Sequence, residues 1–197
     1  MDNQKLEPVQ SLQIIESMIH SARNRFSDNG HLYLLWGWVV LICSLGHFAG
    51  MKWNLHEHPE WIWNFTWVAL LYQTLYLIKQ RKKITVSTYT GDMLKAIWMV
   101  FFVCGLLLAL VVGRLDDWKT MYSLILMLYG IPTVLSGTVL RFKPLIWGGI
   151  FCWVLCIISI YLPYIYILLL VSIAVIAAWI IPGYLMQQKF ANENKKK

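Results

Sequence analysis

The sequence predicts an all-α membrane protein: a polytopic helical bundle of six transmembrane helices in three tandem hairpins, preceded by an N-terminal amphipathic cytoplasmic helix. Three observations support this fold class. Apolar residues make up 58% of the 197-residue chain, above the roughly 45–50% of an ordinary soluble domain. Uncharged runs recur, each near the ~20 residues that a helix needs to cross a bilayer. The sequence at the ends of these runs also repeats along the chain.

Six apolar segments are long enough to be membrane spans. We predict spans at 32–51, 61–78, 96–113, 120–140, 144–162 and 164–186. The last two form one uncharged run, which as a single helix would extend about 65 Å at ~1.5 Å per residue. Because this is about twice the hydrocarbon thickness, the run must turn. Pro163 is the residue at which a helix is hardest to continue.

The connection between the fourth and fifth spans resembles other parts of the chain. Residues 135–143 and 181–189 align without gaps, and both contain a glycine followed six residues later by a lysine. The motif Ile146-Trp147-Gly148 also resembles residues 35–37, near the start of the first span. Similarity at a period of roughly 45 to 60 residues indicates a duplicated unit. Tandem hairpins of this kind would be related about the membrane normal.

The distribution of cations predicts the orientation. Fourteen of the 17 Lys and Arg residues lie in segments 1–31, 79–95, 141–143 and 187–197, which share one side of a six-span chain. Cytoplasmic loops carry this excess, so both termini are expected in the cytoplasm. The net charge of +7 is then a topology signal, and its dispersal over short loops argues against nucleic-acid binding.

Residues 1–30 are predicted to form the cytoplasmic amphipathic helix, and 190–197 a basic cytoplasmic tail. The first segment lacks the apolar core of a cleavable leader, so we expect it to be retained. Apolar residues recur in it at three- and four-residue intervals, as on one helix face: Leu12, Ile15, Ile19, Ala22 and Phe26. Three partners for this face stay open, namely the underside of the bundle, the lipid surface and a soluble cytoplasmic protein.

Inside the predicted spans there is no Asp, Glu, Lys or Arg, which argues against a proton-coupled pump. A central cavity, if present, would draw its lining from the polar and helix-breaking residues of the spans: His47, Gln73, Tyr129, Pro132 and Thr133. His47 fits either an interhelical hydrogen bond or a functional role. Pro132 should kink its helix, either to build a cavity or to fit a neighbour.

Small residues form stripes on several spans, where they allow helix backbones to approach closely. The predicted packing residues are Gly46, Gly50, Gly130, Gly137, Gly148, Cys152, Cys156 and Gly183. A thiol in apolar surroundings behaves as a small hydrophobe, so no disulfide or redox role is expected. Such stripes also suit association with a second copy of the chain.

The first outer loop contains the residues with metal-ligand chemistry. His56 and His58 flank Glu57, and imidazole and carboxylate suit Zn²⁺ or Cu²⁺. An i, i+2 pair diverges on a strand or a helix, however, so we expect a solvated loop and no bound metal. Aromatic residues at this level predict an interfacial belt: Trp53, Trp61, Trp63, Trp118, Tyr122, Tyr161 and Tyr164. No catalytic or cofactor motif is present, so no enzymatic activity and no cofactor are expected.

Three longer motifs carry a family resemblance: LYLLWGW at 32–38, SGTVLRFKPLIWGG at 136–149 and IIPGYLM at 180–186. With the amphipathic segment at the N-terminus, they resemble a family of small six-span membrane proteins of Bacteroides-type bacteria. The resemblance covers most of the chain and implies a bacterial inner-membrane location, without an activity. In arrangement the three hairpins are also similar to the six-span acid-resistance proteins of enteric bacteria.

Two function classes fit the sequence. The first is a non-enzymatic membrane scaffold, sensor or regulatory partner, which would bind membrane lipids and a cytoplasmic protein. The second is a transporter or channel for an apolar or weakly polar small molecule. A polar-lined pocket open to one side would favour transport, whereas helices that pack to the centre would favour the scaffold.

Overall fold

The structure, a computed structural model, describes residues 29–55, 57–81, 89–115 and 117–195. These ranges are helical apart from short connections, which confirms the all-α class. The elements in chain order are α1 (Asn29–Lys52), a 3-10 segment (Pro59–Asn64), α2 (Phe65–Arg81), α3 (Tyr89–Leu115), α4 (Trp118–Val139), α5 (Lys143–Ser159), α6 (Tyr164–Val175), a π turn (Ile176–Ile180) and α7 (Ile181–Lys195). Of the predicted N-terminal segment 1–30, residues 1–28 lie outside the described residues, and Asn29 and Gly30 form the start of α1.

Four stretches are long and apolar enough to cross a membrane: Gly30–Lys52, Thr90–Leu115, Trp118–Val139 and Tyr164–Lys189. These helices make the chain a membrane protein. The second predicted span differs in form, because it begins as the 3-10 segment and continues as α2. The fifth is the apolar helix Lys143–Ser159, which is shorter than the other four.

The turn between α4 and α5 reverses the chain within three residues. Arg141 has a positive φ of 51°; its N–H donates to the Thr138 carbonyl (3.1 Å), and the Phe142 N–H donates to the Gly137 carbonyl (2.8 Å). This pair of bonds is the Schellman arrangement that ends many helices. Pro144 then occupies the first turn of α5, where its missing N–H has no cost.

The contacts between helices differ from those expected of three separate hairpins. The most extensive contacts join α4 to α5, and α1 to the run formed by α6, the π turn and α7. By contrast α5 and α6, which form the third predicted hairpin, share a smaller interface. At the periphery, α2 packs on α1 and the 3-10 segment, and α3 packs on α4.

Glycines set the closest approaches within the bundle. A Cβ built on Gly149 would lie 2.9 Å from the Gly130 carbonyl oxygen, and one on Gly137 would lie 2.8 Å from the Ile146 backbone nitrogen. On the other side of α5, a Cβ on Gly148 would lie 2.7 Å from the Ala177 carbonyl oxygen. Real Cβ atoms do not come this close to backbone, so α5 is held against both neighbours by the absence of side chains.

The predicted packing glycines of the first and last helices approach side chains of neighbouring elements. A Cβ on Gly183 would lie 2.9 Å from the Leu34 side chain of α1. Gly46 and Gly50, predicted to contact another span, face Ile62 and Pro59 of the 3-10 segment. Cys152 is fully buried, and the Cys156 thiol donates to the Ser123 carbonyl of α4 (3.2 Å).

The last helix contains a π turn. The sequence does not predict this turn, because residues 164–186 are expected to form a regular helix. Pro182 follows the turn, and a proline in a regular α-helix clashes with the carbonyl four residues earlier and offers it no N–H. The wider π turn at Ile176–Ile180 accommodates this residue. It also brings Trp179, 2% exposed, into the centre of the bundle.

Candidate functional site

A polar cluster at the end of α1 joins four elements of the bundle. The Trp63 indole N–H donates to His47 Nδ1 (3.0 Å), and the Tyr122 hydroxyl lies 3.3 Å from the same nitrogen. The Tyr164 ring closes the cluster, with its centroid 6.2 Å from that of His47 and 5.7 Å from that of Tyr122. These residues come from α1, the 3-10 segment, α4 and α6.

The Trp63 donor determines the protonation state of the His47 imidazole. An indole N–H only donates, so His47 Nδ1 must accept and is unprotonated. The ring is therefore the neutral form with its proton on Nε2. His47 is 3% exposed, and the arrangement corresponds to the interhelical hydrogen bond that was one of its two predicted roles.

The predicted aromatic belt divides into two groups. Four members are exposed: Trp53, Trp61, Trp118 and Tyr161. The other three, Trp63, Tyr122 and Tyr164, turn inward to surround His47. Sequence position alone does not separate the groups, because both lie at the same level along the spans.

Two side chains of the first outer loop are hydrogen bonded to each other. His58 Nδ1 lies 2.9 Å from Glu60 Oε1, and the imidazole stacks on Trp61 with ring centroids 5.6 Å apart. The pKa of Glu60 is lowered because its carboxylate accepts a hydrogen bond from its own backbone N–H and another from His58. His56 lies outside the described residues. In the remainder of the chain that the structure describes, no three metal-ligating side chains come together.

The centre of the bundle is filled by Trp179. Its indole N–H donates to Thr133 Oγ1 (3.0 Å), and Thr133 in turn donates to the Tyr129 carbonyl (2.7 Å). The Tyr129 and Trp179 rings lie 4.6 Å apart. Further rings extend the cluster, with Trp98 at 6.1 Å from Trp179 and Phe101 at 5.9 Å from Tyr129.

The remaining predicted cavity residues are also covered by neighbouring side chains. Pro132 is fully buried beside Thr133. Gln73 of α2 accepts a hydrogen bond from the Trp36 indole N–H of α1. His47, Gln73 and Thr133 therefore each receive an indole N–H.

Hydroxyl pairs connect other helices in the interior. Ser44 Oγ of α1 lies 2.7 Å from Ser172 Oγ of α6, and both residues are buried. Ser159 of α5 donates to Ser123 Oγ of α4 (2.9 Å). Short interhelical hydrogen bonds of this kind each contribute on the order of 0.6 kcal/mol within a membrane.

Two buried hydroxyls at the opposite end from His47 have no such bond. Tyr33 Oη of α1 lies close to Ser136 of α4 and Trp98 of α3. Within the described part of the chain, neither Tyr33 Oη nor Ser136 Oγ has a hydrogen-bond partner. Tyr33 is 5% exposed and Ser136 is 0% exposed, so both hydroxyls are enclosed, near polar neighbours that do not reach hydrogen-bond geometry.

Neither Trp179 nor Tyr33 is predicted from the sequence to be an interior residue. Trp179 does carry a signal, since it is the only Trp between 164 and 186 and lies far from both ends of that span. Tyr33 carries none, because a Tyr near the end of a span is equally typical of the membrane interface. No protein-family model, no curated protein and no solved structure matches this chain.

Proposed function

We propose that this chain is a six-span protein of the bacterial inner membrane with both termini in the cytoplasm. In this proposal it acts without enzymatic activity, as a scaffold, sensor or regulatory partner of other proteins. The observation that supports this function best is the position of Trp179. Its buried indole occupies the space beside Thr133, where a transporter of the predicted kind would need a cavity.

The number of spans is supported by the segments that flank the two shorter helices. α2 has 17 residues and reaches about 26 Å, somewhat less than the ~30 Å of hydrocarbon. The 3-10 segment precedes it directly and adds about 12 Å at ~2 Å per residue. Because Pro59 and Ile62 contact Gly50 and Gly46 in reverse order, this segment runs antiparallel to α1 and belongs to the second span.

The fifth span is extended in the same way at its other end. The N–H groups of Ile160, Tyr161 and Leu162 donate to carbonyls three residues earlier, so the helical path continues beyond Ser159. Residues 143–162 then form a path of about 20 residues, the length that a span requires. The orientation rests on the cations, since Arg141, Lys143 and Lys189 lie at the end of the bundle opposite to Lys52 and Lys119.

Cysteine accessibility tests whether the interior is sealed. Thr133→Cys would be introduced after the four native cysteines are replaced, and membranes would be treated with a charged, membrane-impermeant thiol reagent. We expect no labelling of Thr133→Cys until the protein is denatured, because Trp179 and the surrounding helices exclude water. Glu57→Cys in the outer loop serves as the accessible control, and Leu107→Cys on the exposed face of α3 serves as the lipid-facing control.

Two results would contradict the proposal. If Thr133→Cys reacts as fully as Glu57→Cys while Leu107→Cys stays unreactive, an aqueous path reaches the centre and transport becomes the better function. If Asn192→Cys is labelled from outside intact cells while Asn54→Cys is protected, the proposed orientation is wrong.

The partner in this proposal binds the apolar face of residues 1–28. A photo-crosslinking amino acid at Ile15 or Ile19 should capture a cytoplasmic protein in living cells, whereas the same probe at Glu16 should not. The double change Ile15→Glu with Ile19→Glu should abolish the capture and leave the melting temperature (Tm) of the purified protein unchanged. A fall in Tm would instead mean that this face packs on the bundle itself.

A further inference from the structure

An apolar groove of about 450 Å³ runs along the outside of the bundle between α5 and the last helix. Its floor is formed by Gly148 and Ala177, which have no side chain or only a methyl group. Its walls are formed by larger residues, among them Trp147, Phe151 and Ile181. Trp147 is 69% exposed, so the groove opens outward, toward the membrane.

The length of the groove corresponds to one leaflet of a bilayer. It extends along α5 from Pro144 to Val154, which is about 15 Å at ~1.5 Å per residue. This is half of the ~30 Å hydrocarbon thickness. Since Pro144 lies at the first turn of α5, the groove begins near the surface of the membrane and ends close to its middle.

Three cations lie at the surface end of the groove. Lys143 precedes Pro144 directly, Arg141 belongs to the same turn, and Lys189 Nζ lies 5.9 Å from the centre of the Phe142 ring. All three are exposed. The sequence has no Asp or Glu between Lys119 and Ala191, and Glu193 just beyond that stretch is followed by Lys195, Lys196 and Lys197, so this end of the chain keeps an excess of positive charge.

We propose that this groove is a binding site for one anionic phospholipid of the cytoplasmic leaflet. One acyl chain lies between Trp147 and Ile181 over Gly148 and Ala177, and the phosphate group faces Arg141, Lys143 and Lys189. Basic pockets beside transmembrane helices on the cytoplasmic side bind anionic headgroups in this manner. The assignment of the site to the cytoplasmic leaflet rests on the orientation proposed above. The assignment of the ligand as an anionic phospholipid does not.

The test uses the full chain, purified in mild detergent and stripped of lipid. Phosphatidylglycerol and phosphatidylcholine with identical acyl chains would be added, with bound lipid counted by native mass spectrometry and Tm recorded. Phosphatidylglycerol should bind at one molecule per chain and raise Tm, and phosphatidylcholine should do neither. Because each cation near an anionic headgroup contributes roughly 1 kcal/mol, the triple change R141Q, K143Q, K189Q should weaken binding about 100-fold.

Two further variants test the acyl-chain contact separately from the headgroup contact, and control for the loss of positive charge. Val154→Trp fills the inner end of the groove without changing any charge, and it should also abolish the bound phosphatidylglycerol. The triple change K52Q, R114Q, K119Q removes equal charge from the opposite end and should leave lipid binding unchanged. Each variant is first compared with the parent chain in lipid-free Tm and elution volume, so that misfolding is recognised.

Several outcomes would overturn the lipid site. These are equal effects of the two lipids, equal losses in the two triple variants, and undiminished binding in Val154→Trp. A parent chain that elutes as a dimer which Val154→Trp converts to monomer would show that a second copy occupies the groove. The measurement in detergent is independent of orientation in the cell and of any protein partner, so its failure would leave the proposed function standing.

Discussion

At one end of the bundle His47 accepts a hydrogen bond from the Trp63 indole, and the Tyr122 hydroxyl lies 3.3 Å from the same nitrogen. At the other end the hydroxyls of Tyr33 and Ser136 are buried, with no partner in the described part of the chain. The two ends therefore close by different means. We refer to them as the outer and inner ends, following the proposed orientation.

The two ends of the bundle differ in the atoms through which their elements make contact. At the outer end, side chains from four elements meet through a hydrogen-bonded imidazole and three aromatic rings. At the inner end, backbones meet directly, because Gly137 brings α4 against the backbone of Ile146. Stability at the outer end should depend on polar atoms, and at the inner end on the absence of side chains.

The largest effect should come from filling the inner contact. Gly137→Leu would place a Cβ 2.8 Å from the Ile146 nitrogen, so α4 and α5 must separate. The cost should exceed the ~1–3 kcal/mol of ordinary overpacking and lower Tm by well over 5 °C. The matched control is Gly113→Leu, where no atom lies within 4 Å of the position that a Cβ would take, and Tm should change little. Equal Tm values for the two variants would remove the backbone contact as the basis of inner-end stability.

The second effect should come from removing the acceptor at the outer end. His47→Leu leaves the buried Trp63 N–H without its acceptor, and a buried unsatisfied group costs roughly 1–3 kcal/mol. Trp63→Phe should cost less, because Tyr122 still reaches the imidazole. The control is His31→Leu, since His31 makes an exposed contact with Tyr72 (3.1 Å). If thermal denaturation ranks His31→Leu with His47→Leu, the outer cluster does not stabilise the bundle.

A third pair of variants should have almost no effect, or a slightly favourable one. Tyr33→Phe and Ser136→Ala each delete a hydroxyl that has no partner in the described part of the chain, so the desolvation cost of that group disappears with it. We expect Tm to stay constant or to rise by a few degrees. A fall comparable to that of His47→Leu would show that these hydroxyls are paired after all, and the contrast between the two ends would be lost.

A small loss of stability should appear at the outer connection before α4. The pKa of Asp117 is lowered because its carboxylate accepts hydrogen bonds from the Thr120 hydroxyl and backbone N–H. A lowered pKa contributes stability above the ordinary value of about 3.9, and this is lost as the pH falls through the folded-state pKa. Asp117→Ala should thus lower Tm slightly near neutral pH. The difference from the parent chain should shrink as the solution becomes acidic, and a difference that stays constant with pH would contradict this role of Asp117.

Much of the architecture could be predicted from the lengths of the apolar runs and the positions of Pro and Gly. The reversal between α4 and α5 follows from Gly137, Arg141 and Pro144, which end one helix and begin the next. The small-residue stripes also indicated which faces meet, since the predicted packing residue Cys156 of α5 donates to the Ser123 carbonyl of α4. In these cases the chemistry is local and can be seen in one segment.

The partners of individual polar residues could not be predicted in the same way. Lipid is as apolar as the interior of the bundle, so hydropathy does not distinguish an inward face from an outward one. Trp61 and Trp63 are two residues apart, yet one is exposed and the other binds His47. Gly148 and Gly149 are adjacent, yet they contact opposite neighbours. Such differences depend on rotations of whole helices, which are set only when all spans pack together.

The π turn at Ile176–Ile180 acts as a one-residue insertion in an otherwise regular helix. A uniform helical wheel drawn through the last span misplaces every residue beyond Ile180 by about 100°, the angle of one residue. Ser172 before the turn and Gly183 after it nevertheless both contact α1, at Ser44 and Leu34. A chain shortened by one residue inside the turn, with Pro182 replaced by alanine so that no proline clashes with the tighter helix, would close it to an ordinary α turn and keep both contacts in phase. The same deletion within α6, between Ser172 and the turn, would leave the π turn in place and rotate one contact away from α1.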